Sequence, residues 1–476
     1  MQHHDDIFVG GQWVPADSRD RTEVINPATE EIWAAVPDGN ERDINAAVTA
    51  ARRAFPAWSG SSPSERAEVI RRIADEIDKR ADELTRIITA ENGTPIAESG
   101  GAPGHAATTL RLTADMADTL ADDERSNPMA PGYTRVRRVP VGVAGLITPW
   151  NFPLSLVIIK LGPALLAGCT VVIKPAPETP IATRVLMEAV AAAGVPDGVV
   201  NLVTGSTVAG NALVEHPDVD KISFTGSSAV GRAIGRACGE RLRPVTLELG
   251  GKSPAIVLDD VDTDILASNI LKVSMRNTGQ TCKACTRLLV PEHRHDELAS
   301  LVADVVSGAQ IGDPTDPATF FGPLVSSRQR ERVNGYLESG RSQGAKAVTG
   351  GQVSDRFDRG FYVEPTVFSG VTSDMVIARE EIFGPVLSVL PYRDLDDAVA
   401  IANDSEFGLA ATVFSTDEDR ATAVAERLET GTVGINHYGS NANAPFGGHK
   451  ASGLGTEFGP EGLAEYLKYT SIHYPA

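Results

Sequence analysis

The feature that most constrains this chain is an alternation that begins at Cys169. Thr170 to Ile173 reads as a buried strand, Pro180 to Ala193 as a helix and Val199 to Val203 as a strand. A further helix leads to a strand at Lys221 to Phe224, and a helix at Ala229 to Cys238 leads to a strand at Val245 to Leu247. Short apolar runs separated by helical stretches mark right-handed βαβ units, which close as a parallel sheet with helices on both faces. The stretch predicts a doubly wound α/β domain, and such domains bind ligands at the carboxyl ends of their strands.

The remainder is organised around that unit. After Gly250-Gly251 a second α/β stretch starts with a strand at Ala255 to Leu258 and continues through helices near Thr263 to Met275 and His295 to Ser307. Its length fits a separate lobe, since 476 residues exceed what one core usually serves. Asp43 to Phe55 and Pro63 to Asn92 carry helical spacing, with Ser62-Pro63 as an N-cap followed by Pro at N1, so the first hundred residues read as mostly helical. Val141 to Ile159 is uncharged, but Pro149, Asn151 and Pro153 interrupt it, which predicts a buried strand, loop and helix rather than a membrane span. Asp115 to Arg138 is polar, and Tyr133 to Val139 alternates like an exposed strand, which suggests an arm. Pro445 to Gly459 is rich in Gly and reads as a long functional or inter-subunit loop.

A formal charge of −20 argues against a nucleic-acid partner or an anionic membrane surface, both of which need clustered Lys and Arg. The acidic opening Met1 to Ile7 lacks the regions of a signal peptide, so a cytoplasmic protein is expected. The four cysteines, Cys169, Cys238, Cys282 and Cys285, are too few for a disulfide framework.

Several segments carry possible chemistry. Phe224 to Gly231 lies between a strand and a helix; Gly226 suits a tight turn, and Ser227 with free N–H groups at a helix N-terminus suits a phosphate, although a plain turn reads as well. Lys174 ends a strand at the ligand edge and could reach a ribose hydroxyl, or be a solvated lysine. In Asn277 to Cys285, Cys282 offers a nucleophile whose thiol a nearby helix start and Lys283 would acidify; the alternatives are a buried structural cysteine, a redox pair with Cys285, or half a zinc site. Zinc would need two further ligands that the sequence does not supply in a metal-binding pair, so no metal is expected. Glu248, in apolar company, could act as a general base or pair with Lys252. Asn151, in the loop Thr148 to Pro153, could donate to a developing oxyanion, and Trp150 could pack on a cofactor.

Together these segments resemble the aldehyde dehydrogenase superfamily, from about Ile7 to Tyr469 and in family order. Further matching segments are Trp33 to Phe55 with its Asn-Pro-Ala-Thr lead-in, Glu380 to Pro385 and Pro445 to Gly453. The resemblance implies a Rossmann-like doubly wound cofactor domain (1–120 and 141–249), an α/β catalytic domain (250–445) and a small β-strand oligomerisation arm (121–140 and 460–476). It implies that Cys282 attacks the aldehyde, that Asn151 and the Cys282 N–H hold the oxyanion, and that Glu248 activates the water that hydrolyses the thioester. Lys160 and Glu457 would relay protons. Lys174 and Glu381 would hold the cofactor riboses, Ser227 would meet the pyrophosphate, and Trp150 and Phe383 would flank the cofactor. Ile147, Gly205, Gly226, Gly231 and Leu249 would complete its site. The cofactor implied is NAD, with NADP possible, and the assembly a homodimer or homotetramer.

Three positions depart from the family pattern. Pro177 stands where NAD-preferring members often carry a glutamate, with Glu178 one place later; no cation beside Lys174 invites a 2′-phosphate, which favours NAD. Lys283 follows the nucleophile in place of a small or apolar residue, and Ala229 replaces an acidic residue usual in the phosphate loop. Cys285 could trap an oxidised Cys282 as a disulfide. Alternative readings are a CoA-acylating aldehyde dehydrogenase, against which Glu248 speaks, an inactive structural homologue, or a dithiol redox protein. His437 to Asn441 is expected to line the aldehyde tunnel, and the lack of a visible Arg cluster speaks against a strongly anionic aldehyde.

Overall fold

A computed structural model describes residues 2–475, so Met1 and Ala476, the outermost residues of the expected cofactor domain and arm, lie outside it. The alternation after Cys169 forms an eight-stranded sheet. Its order runs Gly453–Leu454, Val245–Glu248, Lys221–Thr225, Val143–Ile147, Thr170–Lys174, Val200–Leu202, Asp6–Val9 and Gln12–Pro15. The five central strands pair parallel, and the outer pairings, to Gly453–Leu454 and to Asp6–Val9, are antiparallel. Val143–Ile147, Thr170–Lys174 and Lys221–Thr225 are buried throughout, as strands covered by helices on both faces must be.

Uncharged Val141 to Ile159 resolves into strand Val143–Ile147, a loop, and the start of helix Ser155–Ala167. Among the described residues no helix is long and apolar enough to cross a membrane. Ser62 caps helix Pro63–Lys79, its hydroxyl accepting from the Glu65 N–H while the Glu65 carboxylate accepts from the Ser62 N–H. That reciprocal pair satisfies two donors that a helix start leaves open. The stretch Pro63 to Asn92 is two helices, since Arg80 leaves helical geometry before Ala81–Asn92 begins. The sequence reading missed the strands of the first forty residues, which are too short and too mixed in burial to show period two.

A seven-stranded sheet follows, in the order Lys346–Thr349, Thr366–Ser369, Val386–Tyr392, Arg287–Pro291, Pro254–Val257, Ala410–Phe414 and Thr432–Ile435. Two apolar cores cover its faces, one containing Phe368 and Leu390, the other Cys285 and Phe414. A third small sheet joins Asp123–Ser126, Tyr133–Pro140 and Leu467–Tyr474 antiparallel. The glycine-rich segment from Pro445 is more than a loop: Gly453 and Leu454 pair with Glu248 and Leu247, and His449–Lys450 pairs with Phe407–Gly408.

Candidate active site

A cleft of about 380 Å³ opens beyond the carboxyl ends of the central strands. Trp150, Asn151, Gly226, Ser227, Leu249, Cys282, Glu381 and Phe383 line it, drawn from segments up to 233 residues apart, the span from Trp150 to Phe383. At one end helix Ser228–Glu240 begins, capped by Ser227, whose hydroxyl accepts from the Val230 N–H. Ser227 is exposed, so free N–H groups and the positive end of the helix face the cleft. A Cβ on Gly226 would lie 2.5 Å from the Phe224 ring, so only glycine fits that turn. Gly231 does not line the cleft; a Cβ there would lie 2.4 Å from Leu249, which makes it a close-packing residue between helix and strand. Trp150 and Phe383 meet edge to face, with centroids 5.3 Å apart. These features fit an extended anionic cofactor with an aromatic ring system.

Ile147, Lys174 and Gly205 fall outside that lining. Lys174 is not solvated: it is buried, and burial holds its ammonium down to about 8 against the pull of Glu178 and Asp38. Glu178 itself lines the cleft, as do Gln329 and Arg332, which the sequence reading did not single out. Gln329 donates to the Phe383 carbonyl at 2.7 Å and Arg332 to the Glu381 carbonyl at 2.6 Å, so helix Ser327–Ser342 fixes the Glu381 loop. The Glu381 carboxylate accepts from the Gly251 N–H at 3.2 Å, and burial pushes it up to about 7.

At the other end stand Cys282 and Asn151. The Asn151 amide donates one N–H to the Gln280 carbonyl at 2.9 Å, which fixes the plane of the group and leaves its second N–H for another acceptor. A buried network aligns the two loops. Asn277 donates to the Asn151 carbonyl at 2.9 Å and Asn92 to the Trp150 carbonyl at 2.7 Å, while the Thr94 hydroxyl lies 2.9 Å from Asn277 Oδ1. Asn277, Thr278 and Gly279 all take positive φ, so Cys282 is delivered by a strained turn.

No helix begins at Cys282, and the acidification expected there is not found. Burial pushes its thiol up to about 12, with Glu381 and Glu248 adding to the rise and Lys283 opposing it. Cys285 is fully buried in the core, its sulfur against the Thr412 hydroxyl at 3.6 Å, and all four cysteines are free.

Glu248 does not pair with Lys252. Neither Glu248 oxygen nor the Lys252 ammonium has a hydrogen-bond partner, although both are buried. Burial and the nearby Glu457 carboxylate drive the Glu248 carboxyl well above the usual range; the Lys160 ammonium pulls the other way. Lys160, on helix Ser155–Ala167, forms a buried ion pair with Glu457. Tyr438, Gly439 and Ser440, but not His437 or Asn441, line a second cleft of about 360 Å³.

A helix start, a thiol and an oriented amide share one cleft of this α/β fold, and the protein is a nicotinamide-dependent dehydrogenase. The chain belongs to the aldehyde dehydrogenase family, whose pattern matches residues 13–472. It is 48% identical over 473 residues to the geranial dehydrogenase of Castellaniella defragrans, covering 99% of this chain and 98% of that one. It is 41% identical over 474 residues to a 3-succinoylsemialdehyde-pyridine dehydrogenase of a Pseudomonas species, covering 99% of each. The crystal structure of a Mycobacterium tuberculosis aldehyde dehydrogenase complexed with NAD+ matches with a TM-score of 0.97 at 43% identity, covering 100% of this chain and 99% of that one.

Proposed function

We propose that the chain oxidises an aldehyde to the carboxylic acid with NAD, through a thioester on Cys282 that water hydrolyses. The observation that carries this reading is that Cys282 and Asn151 line one cleft, while the buried Glu248 carboxylate is close enough to act electrostatically on the Cys282 thiol. The Cys282 proton passes to Glu248, and on to solvent through the Lys160–Glu457 pair, as the sulfur adds to the carbonyl carbon; the free Asn151 N–H and the Cys282 N–H receive the developing oxyanion, and when the carbonyl re-forms as the thioester the carbon-bound hydrogen leaves with its electron pair. NAD, bound in the cleft, supplies the two-electron oxidant. Glu248 then takes a proton from the water that attacks the thioester, and the Lys160–Glu457 pair beside it passes that proton on. Ser227 receives the pyrophosphate, Lys174 and Glu381 the ribose hydroxyls, and Trp150 and Phe383 flank the cofactor, with Ile147, Gly205 and Leu249 around it.

The choice of NAD over NADP is supported by Glu178, a carboxylate in the cleft wall that would repel a 2′-phosphate. Residues 1–120 and 141–249 are assigned to the cofactor domain, 250–445 to the catalytic domain, and 121–140 with 460–476 to the arm. The arm's sheet keeps two open edges and exposes Tyr469 and Met129, which supports a homo-oligomer built through it. Four free thiols favour a reducing compartment such as the cytoplasm. A panel of aldehydes with NAD and NADP, with and without CoA, tests the reading. NAD reduction and acid release without CoA are expected; a requirement for CoA, or no cofactor reduction, would overturn it.

A further inference from the structure

The second cleft, lined by Phe152 and Pro153 on one side and by Tyr438 to Ser440 on the other, backs onto the loop that carries Asn151. Three cationic or ionisable side chains from separate segments meet there. Arg276 and His105 line the cleft, and Lys283 contacts its wall: the ammonium donates to the Ser440 hydroxyl at 2.6 Å and lies 4.4 Å from the centroid of the Tyr438 ring. Their charges are not balanced. Arg276 is matched by Glu98 at 2.9 Å, whose other oxygen accepts from the Asn277 N–H at 2.9 Å, so that carboxylate is fully used. His105 is held toward neutrality by burial and by its two cationic neighbours. Among the described residues Lys283 has no carboxylate partner.

A partly buried ammonium held only by a hydroxyl and an aromatic face lacks a counter-ion, and such groups are paired when their site is complete. Lys283 also follows the nucleophile directly in the chain, and the cleft whose wall it contacts backs onto the Asn151 loop that lines the thiol's cleft. We propose that the substrate is an aldehyde whose short tail bears a carboxylate, received by Lys283 in this second cleft. The inference rests on the aldehyde-oxidising function proposed above. It reverses the expectation against an anionic aldehyde, because only the fold brings Lys283 to Ser440 and Tyr438 without a carboxylate partner.

Matched pairs test it: 4-carboxybenzaldehyde against 4-methylbenzaldehyde, and succinic semialdehyde against pentanal, each with NAD. The intact protein should favour the carboxylated member by roughly 10- to 100-fold in kcat/KM, mostly through KM. Lys283→Met should bring that ratio near one, Lys283→Arg should retain part of it, and Ser440→Ala should lower it less. A preference for the neutral members in the unaltered protein overturns the inference and leaves the proposed function standing. So does a Lys283→Met variant that slows both members equally, since Lys283 would then act on the thiol and not on the tail. NAD reduction with none of the four, while another aldehyde of the wider panel is oxidised, also overturns the inference, whereas silence across the whole panel overturns the proposed function itself.

Discussion

Single side chains decide the chemistry, and their burial is what tunes them. Because burial and Glu457 lift the Glu248 carboxyl, it is protonated, and unfit as a base, over a wider range than a surface glutamate. Thioester hydrolysis should therefore go on rising with pH beyond the range in which a surface glutamate has already ionised, and level off only once Glu248 has lost its proton. Glu248→Gln should abolish that limb, slow acid release by at least about 10²-fold and let acyl-enzyme accumulate, visible as a burst of reduced cofactor followed by a slow phase. Glu178 offers a second test: removing the carboxylate from the cleft wall in Glu178→Ala should raise the NADP to NAD ratio of kcat/KM about tenfold, roughly one close charge contact. Most of these side chains were legible because their motifs are local, strand end followed by turn. Asn92, Thr94 and Asn277 were not, because their partners lie 58 to 183 residues away and no spacing announces them. Lys283 was visible as a departure, but its role was not, since Ser440 comes from 157 residues downstream.

At the scale of elements, loops and helix ends set the site's geometry. Glu91 is fully buried and its two oxygens accept from the Ile181 and Ala182 N–H groups at 2.8 and 3.0 Å, closing the start of helix Ile181–Ala192 from outside that helix. Glu91→Ala should cost about 2–4 kcal/mol, measured by chemical denaturation, since two buried donors lose their acceptor. Gly279 has φ +74°, and a Cβ there would lie 2.1 Å from the Gly384 carbonyl. Gly279→Ala should push the turn before Cys282 away from the Glu381–Phe383 loop, lowering both NAD affinity by titration and the thermal midpoint. The parallel strands were readable because both faces are buried and their apolar runs are continuous. The early strands carry mixed burial, and Arg80 breaks a continuous helical pattern through backbone geometry alone.

Across the whole molecule, the arm and the tail hold the parts together. Leu467–Tyr474 pairs residue for residue with Tyr133–Pro140, and Tyr133 stacks on Tyr474 with centroids 4.7 Å apart. Removing residues 467–476 should strip that sheet of an edge strand and shift the protein to smaller species or aggregate in light scattering. The tail has a wider consequence. The strand ending in Glu248 takes its last neighbour from Gly453–Leu454, and the Ser452 hydroxyl and carbonyl bond to Gly250 and Leu249. During synthesis, then, a ribosome that has released the first 250 residues holds a nearly finished sheet with one raw edge, and Glu248 gains its strand neighbour only after some two hundred more have emerged. Chains that stop early should leave the strand that ends in Glu248 without its last neighbour, so arrival of the tail is itself a condition for a finished sheet.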